Sequence, residues 1–306
     1  MPDTVFLVSE LEGAGLRIDS YLADHLQDVS RARVQRLITG GDVRVDGRPV
    51  KASRRLVAGE KVVIHLPRER REKPQPEDIS LEILHDDQDI ILVDKPSGVV
   101  VHPGAGRRTQ TLVNALLYRF PDLAGQEPED RPGIVHRLDK ETSGVMVVAR
   151  SPRAMNDLQR QFKNREVDKR YLGLVWGKIR HAEGRLSWPI GRHARQRDRI
   201  SIRTNKPREA ETHYRLLQAY RDFAYLEIHP LTGRTHQIRV HMAAAGHPLV
   251  GDGRYGRRGG KGPSPRLFLH AATLKFRHPG SGETLEFSSP LPPDLQAVLD
   301  GIMQSS

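Results

Sequence analysis

The sequence predicts an α+β protein in two parts: a small basic module of two helices and a hairpin, then a larger domain built on a largely antiparallel sheet. Three observations predict it. At 306 residues the chain is long enough for about two domains. A charged, proline-bearing stretch with no apolar periodicity, RERREKPQPED (Arg68–Asp78), divides it. Downstream, short apolar runs dominate and never settle into the strict βαβ alternation that a parallel, doubly wound sheet requires. The expected boundaries are 15–67 for the first domain, 68–78 for the linker and 79–306 for the second domain.

In LRIDSYLADHL, Leu16, Ile18, Tyr21, Leu22 and Leu26 recur close to a helical period. In SRARVQRLITGG, Ser30 has the chemistry of an N-cap and Gly40 or Gly41 that of a stop. Val34, Leu37 and Ile38 then form one buried stripe, which directs Arg31, Arg33 and Arg36 elsewhere. Two strand-like runs follow, Val43–Val45 and Lys61–Leu66, with the turn dipeptide Asp46-Gly47 after the first. Beyond the linker the strand-like runs are LEIL, DIILVD, GVVVH, VMVVA, RYLGLVW, AYLEIH and FLHAATLKF. The helical patterns between and after them are TLVNALLYRF, PRAMNDLQRQFKNRE, THQIRVHMAAAG and PDLQAVLDGIM.

Composition excludes several classes of function. With no cysteine, there are no disulfides, thiolate nucleophiles, cysteine-ligated zinc sites or iron–sulfur clusters. No stretch reaches the roughly 20 apolar residues of a membrane span. The N-terminal sequence carries acids where a signal peptide carries bases. A soluble, cytoplasmic, monomeric protein is expected. Forty-nine Lys and Arg against 38 Asp and Glu leave a net charge of +11, the balance of a protein with a polyanionic partner. The charge is clustered. Between Val29 and Arg55 stand eight bases and two acids, and between Arg192 and Arg208 seven bases and one acid. Arg254, Arg257, Arg258 and Lys261 share a glycine-rich loop. These groups suit RNA phosphates, and equally a solvated surface.

No nucleotide cofactor or metal is expected. GGKGPS lacks the spacing of a phosphate-binding loop, and no GxGxxG precedes a helix. His236 and His241 are five apart rather than four, without clustered acids. The candidate for chemistry is HRLDKETSG (His136–Gly144), between a loop and the apolar run VMVVA, where a scaffold presents side chains to a ligand. Asp139 there is flanked by Arg137 and Lys140. An N-cap or a surface ion pair would account for an ordinary aspartate; here the neighbouring cations favour its ionised form.

HRLDKETSG resembles, across its whole length, the signature of the RluA-type pseudouridine synthases, and three further blocks agree in order. They are VDKPSGVVVHPG (Val93–Gly104), KRYLGLVWG (Lys169–Gly177) and LTGRTHQIRVHMAAAGHPLVGD (Leu231–Asp252). The resemblance spans most of residues 80–290. The basic module, about 55 residues, resembles an S4 RNA-binding domain, a layout similar to the RluC and RluD branches, with the later sequence closer to RluD.

The resemblance implies a synthase domain whose mixed sheet is flanked by helices around a central cleft. It implies isomerisation of uridine to pseudouridine in large-subunit ribosomal RNA, free or in a pre-ribosomal particle, without a cofactor. An RluC-like target, a uracil-releasing glycosidase and a non-catalytic RNA-binding factor are the alternatives. The reaction breaks the ribose C1′ to uracil N1 bond, turns the base and rejoins C1′ to C5. A carboxylate serves as nucleophile or base, and Asp139 matches the family's catalytic aspartate. Tyr171 matches the tyrosine that stacks on the base, and Arg239 the arginine that pairs with the aspartate. Ile238 would wall the pocket. Arg137 matches the residue that enters the space left by the flipped nucleotide. Arg31, Arg33 and Arg36 would meet RNA from the first domain.

Overall fold

The computed structural model describes residues 4–7, 13–26, 29, 31–66, 73–102, 109–194, 196, 199–256 and 262–304. Two compact units divide the chain, Met1–Arg71 and Glu72–Ser306.

In the first unit, β1 (Thr4–Leu7) precedes α1 (Ile18–His25) and α2 (Arg31–Gly40), followed by β2 (Val43–Val45), β3 (Arg48–Pro49) and β4 (Lys61–Ile64). The strands form an antiparallel sheet in the order β1-β4-β2-β3. The module is thus more than two helices and a hairpin, and its sheet begins upstream of residue 15. Ile18, Tyr21 and Leu22 of α1 and Val34, Leu37 and Ile38 of α2 bury against Val43, Val45, Val62 and Ile64. Leu16 lies ahead of α1 and is exposed. Helix α2 ends in a Schellman turn: Gly41 takes φ 83°, its N–H donates to Ile38 O, and Asp42 N–H donates to Leu37 O. Asp46 and Gly47, both at positive φ, make the tight turn between β2 and β3. Ser30 lies outside the described residues.

Arg31, whose side chain is 46% exposed, also serves the interior, because Asp19 has no exposed side-chain surface and needs its charge neutralised. Arg31 donates from Nε and Nη2 to that carboxylate at 3.1 and 2.9 Å, alongside Arg17 and Gln35. Arg36 is exposed and Arg33 half-buried.

In the second unit the order is β5 (Glu82–Asp86), β6 (Ile90–Lys95), α3 (Leu112–Arg119), β7 (Ser143–Ala149), α4 (Pro152–Asn164), β8 (Asp168–Trp176) and β9 (Glu183–Leu186). Then come β10 (Gly191–Arg192), β11 (Ile200–Ser201), β12 (Thr212–Ala219), β13 (Phe223–Pro230), α5 (Gln237–Ala244), β14 (Leu269–Arg277), β15 (Thr284–Ser288) and α6 (Pro293–Gln304). The main sheet runs β5-β6-β7-β14-β8-β13-β12-β9, with β15 also on β14. Every pairing in it is antiparallel except β7 with β14. β6 and β7 read as continuous apolar runs because both faces are covered. Ile91, Val93, Met146 and Val148 pack with α3, while Ile90, Leu92, Val145 and Val147 pack with the α4 side.

The structure overturns one strand reading of the sequence. GVVVH is not a strand: Val100 makes only an isolated bridge to Thr111. The ammonium of Lys95 donates to the carbonyls of Pro96 and Val99 at 2.7 and 3.0 Å, curling the chain around it instead of leaving it extended. Residues 68–72 of the expected linker lie outside the described residues, and the boundary between the two units falls within it. The rest is docked on α3, where Asn114 Nδ2 donates to Gln75 O and Glu77 N–H donates to Asn114 O. β12 escaped the sequence reading because half of its eight residues are exposed and only one is buried, leaving little apolar signal.

Candidate active site

The loop carrying Asp139 is fixed at both ends and from beneath. Gly133, at φ 72°, sits where a Cβ would strike Val148 and the Ala149 carbonyl, so the chain turns back tightly onto β7. Leu138 is buried in the core that α3 covers, which turns Arg137 outward into solvent. The Lys140 carbonyl accepts from Gly98 N–H at 2.8 Å and from Lys95 Nζ at 3.3 Å; Ser97 Oγ donates to Glu141 O. Lys95 has no exposed surface. Burial pulls its ammonium down to about 7, against the opposing pull of Asp139 and Asp94. At the loop's far end, Ser143 Oγ meets His270 Nδ1 at 3.0 Å, and a Cβ at Gly144 would collide with the Ala271 carbonyl.

The β8 strand passes beside this loop. Strand alternation puts Lys169 and Tyr171 on one face and Arg170 on the other. Tyr171 packs against the hydrophobic clusters beneath α3 and beneath α5. Its phenol is held well above the ordinary range by burial and then by the charge of Asp139.

Helix α5 supplies the third wall. Gln237 organises its start: Gln237 Oε1 accepts from Thr232 Oγ1 and Arg234 N–H, and its Nε2 donates to Glu211 O and Thr212 Oγ1. His236, just before the helix, takes the left-handed conformation at φ 55°. One turn on, Arg239 points inward and is 5% exposed.

Asp139, Tyr171, Ile238 and Arg239 line one cavity of about 590 Å³, together with Arg137 at its edge and His236. Arg239 Nη1 is 3.5 Å from Asp139 Oδ2. Its closer partner is Asp252, which accepts from Nε and Nη2 at 2.9 Å each. Asp252 also accepts the N–H groups of Arg254 and Tyr255 at 2.9 Å, and the Tyr255 ring lies 5.2 Å from the guanidinium carbon. Burial alone would weaken the Arg239 charge. The bonds and charge of Asp252, then Asp139 and Glu141, more than offset it and raise the guanidinium further. Asp139 thus faces a cation that another carboxylate has locked in place. Arg239 thus meets Asp139 through one nitrogen, while its bidentate fork lies toward Asp252.

Asp252, Lys95 and Tyr255 were not singled out in the sequence, and His236 was weighed only as a metal ligand. Asp252 closes the block that begins at Leu231, and Lys95 stands in the block that begins at Val93, so both had a signal of position. Tyr255 had none. Among the proposed phosphate contacts, Arg195, Arg197, Arg257, Arg258 and Lys261 lie outside the described residues. Arg199 stacks over Tyr255 at 5.6 Å and donates to the Arg254 carbonyl, so it buttresses the site wall. Among the described residues, no group of three or more His, Asp or Glu could hold a metal ion, and no helix is long and apolar enough to cross a membrane.

The family model for RNA pseudouridylate synthase matches residues 89–244, which contain Asp139, Tyr171 and Arg239. The chain belongs to the RNA pseudouridine synthase family. Residues 16–62 of this synthase match the S4 domain model, so it carries an S4 domain in front of the catalytic unit. It is 43% identical to the "Ribosomal large subunit pseudouridine synthase D" of Xanthomonas campestris, over 96% of this chain and 91% of that one. It is 45% identical to the protein of the same name from Nitrosomonas europaea, over 94% and 85%. Among solved structures it resembles human RNA Pseudouridylate Synthase Domain Containing 1, with 32% identity and a TM-score of 0.60 over 75% of this chain and 95% of that one. The synthase isomerises uridine in RNA, a reaction that changes connectivity and not composition.

Proposed function

We propose that this synthase converts uridine to pseudouridine in large-subunit ribosomal RNA, in the cytoplasm, with Asp139 as the carboxylate that initiates the chemistry. The observation that carries this reading is the meeting of Asp139, Tyr171 and Arg239 around one cavity, with the carboxylate 17% exposed and 3.5 Å from a buried cation. A pocket of that size takes one base out of its stack. Tyr171, kept neutral by its surroundings, offers a flat face to that base, worth about 1–3 kcal/mol of stacking. Arg239, 3.5 Å away, holds and orients the carboxylate. Arg137, exposed beside Asp139, is placed to occupy the gap the base leaves. The ribosomal target is supported by the names of the two bacterial relatives and by the S4 domain, whose Arg33 and Arg36 are proposed to meet phosphates.

The test is to map pseudouridine in the ribosomal RNA of cells with and without this gene. Loss of pseudouridine at large-subunit positions, restored by the wild-type gene and not by Asp139→Asn, is the expected result. An unchanged map would refute the ribosomal target. Product mass settles the chemistry against base release, because isomerisation leaves the RNA mass unaltered.

A further inference from the structure

However the bond between N1 and C1′ is broken, the reaction ends in one way. Once C1′ is joined to C5, that carbon holds both the ribose and a hydrogen, and the hydrogen must leave as a proton for the ring to recover its C5=C6 double bond. A base is needed within reach of the atoms Asp139 engages. Tyr171 keeps its phenolic proton, held by burial and by Asp139. His136 is committed elsewhere: its Nε2 accepts the Val147 N–H at 3.1 Å and its ring stacks on Phe162 at 4.5 Å. His102 and Lys169 line the same cavity, but among the described residues neither forms an ion pair with Asp139, as His236 does.

We infer that His236 takes the C5 proton, an assignment that rests on the reading of Asp139 above. Its Nε2 lies 3.9 Å from Asp139 Oδ2 and its ring lines the same cavity. The other ring nitrogen is clamped: Nδ1 meets the Tyr255 hydroxyl at 2.8 Å, and that hydroxyl oxygen also accepts the Ile200 N–H at 3.1 Å. In the tautomer that carries its proton on Nδ1, donated to the Tyr255 oxygen, Nε2 faces the cavity with a free lone pair, and the assignment uses that tautomer. The backbone contributes as well. A histidine at φ 55°, ψ 18° is a conformation that side chains other than glycine rarely adopt, and it persists where the surroundings demand it. Burial holds the imidazole below its ordinary range. Asp139 and Asp252 pull the other way, while Arg239 and Arg254 push further down, so the ring is a neutral base at pH 7. As Nε2 takes the proton, the C5–H electron pair closes C5=C6 and the C6=N1 pair retreats to N1, which takes a proton from water. The imidazolium, stabilised beside Asp139, returns its proton to solvent.

The test uses the full-length enzyme and RNA whose uridines carry deuterium at C5, under single-turnover conditions. His236→Asn suits the left-handed position and removes the base. The expected result is a rate about 100-fold lower with RNA binding intact, and a C5 isotope effect larger than that of the wild type because proton removal has become limiting. Tyr255→Phe, which keeps the ring and loses the hydroxyl, is expected to move both quantities in the same direction by less. A His236→Asn rate within about tenfold of wild type, or a lowered rate with an unchanged isotope effect, overturns the assignment. Asp139→Asn separates the two readings. If it still turns over, the reading of Asp139 fails; if it is inactive and the His236→Asn isotope effect matches wild type, only the assignment of His236 fails.

Discussion

Asp252→Asn is the sharpest probe of how the site is held. The Asp252 side chain is fully buried, and its oxygens accept four hydrogen bonds, two from Arg239 and two from the backbone. Asparagine keeps the shape, loses the charge, and turns an NH₂ toward a guanidinium. Breaking one partner of a buried ion pair costs about 3–5 kcal/mol, because the remaining charge stays buried. Asp139 at 3.5 Å and Glu141 at 3.7 Å still face Arg239, which places the expected loss near the low end. At an m-value of about 3 kcal/mol/M, a loss of about 3 kcal/mol moves the urea midpoint by about 1 M. Trp176 and Trp188 both belong to the second unit, so tryptophan fluorescence reports its unfolding. Glu286→Gln is the control: its pair with Lys275 is 3.4 Å long and half exposed, and it is expected to shift stability by less than about 0.5 kcal/mol. The contact with Arg239 lowers the Asp252 pKa, so its contribution is present above the ordinary carboxylate range and disappears as pH falls through the folded value. Wild type and variant are therefore expected to converge in acid. A midpoint shift below about 0.3 M at neutral pH, or one no larger than the control's, would refute the reasoning.

Asp139→Asn is expected to leave RNA binding intact and conversion below a few per cent of wild type, measured by pseudouridine formation in a single-turnover assay; appreciable turnover contradicts the role given to Asp139. Arg137→Lys is expected to slow turnover of structured RNA more than it weakens binding, with partial recovery on an RNA whose target uridine is unpaired; equal rates for Lys and Arg on the paired substrate would reduce Arg137 to one more positive charge. Removal of residues 1–71, a cut that spares the docking of Gln75 and Glu77 on α3, is expected to weaken RNA binding and flatten its dependence on salt, by about 0.9 in log–log slope for each duplex phosphate that the first unit neutralises. His136, half-buried and lowered to about 3 by burial and then by Lys169, stays neutral in the folded state while the unfolded chain protonates near 6.5. Stability should therefore fall as pH drops from 6.5 toward 3, by about 1.4 kcal/mol per unit at most, and pH-dependent unfolding of His136→Gln should show a shallower slope.

Local pattern was enough for the elements whose neighbours in sequence are also their reasons. The stripe Val34, Leu37 and Ile38, the glycine stop of α2 and the Asp46-Gly47 turn all depend on contacts within a few residues. β6 and β7 announced themselves because burial on both faces demands an unbroken apolar run. GVVVH misled because a strand and a loop wrapped around a buried ammonium can share one apolar composition, and only the carbonyls gathered by Lys95 tell them apart. The four motif blocks bounded the site in the sequence, and the roles drawn from them for Asp139, Tyr171 and Arg239 came through resemblance. What the blocks could not contain was the wiring between them. That Arg31 serves Asp19, that the fork of Arg239 turns to Asp252, and that Tyr255 clamps His236 beside Asp139 are decisions of tertiary structure. Each joins side chains from separate elements of the chain, and a buried charge takes whichever opposite charge the fold brings within about 3 Å.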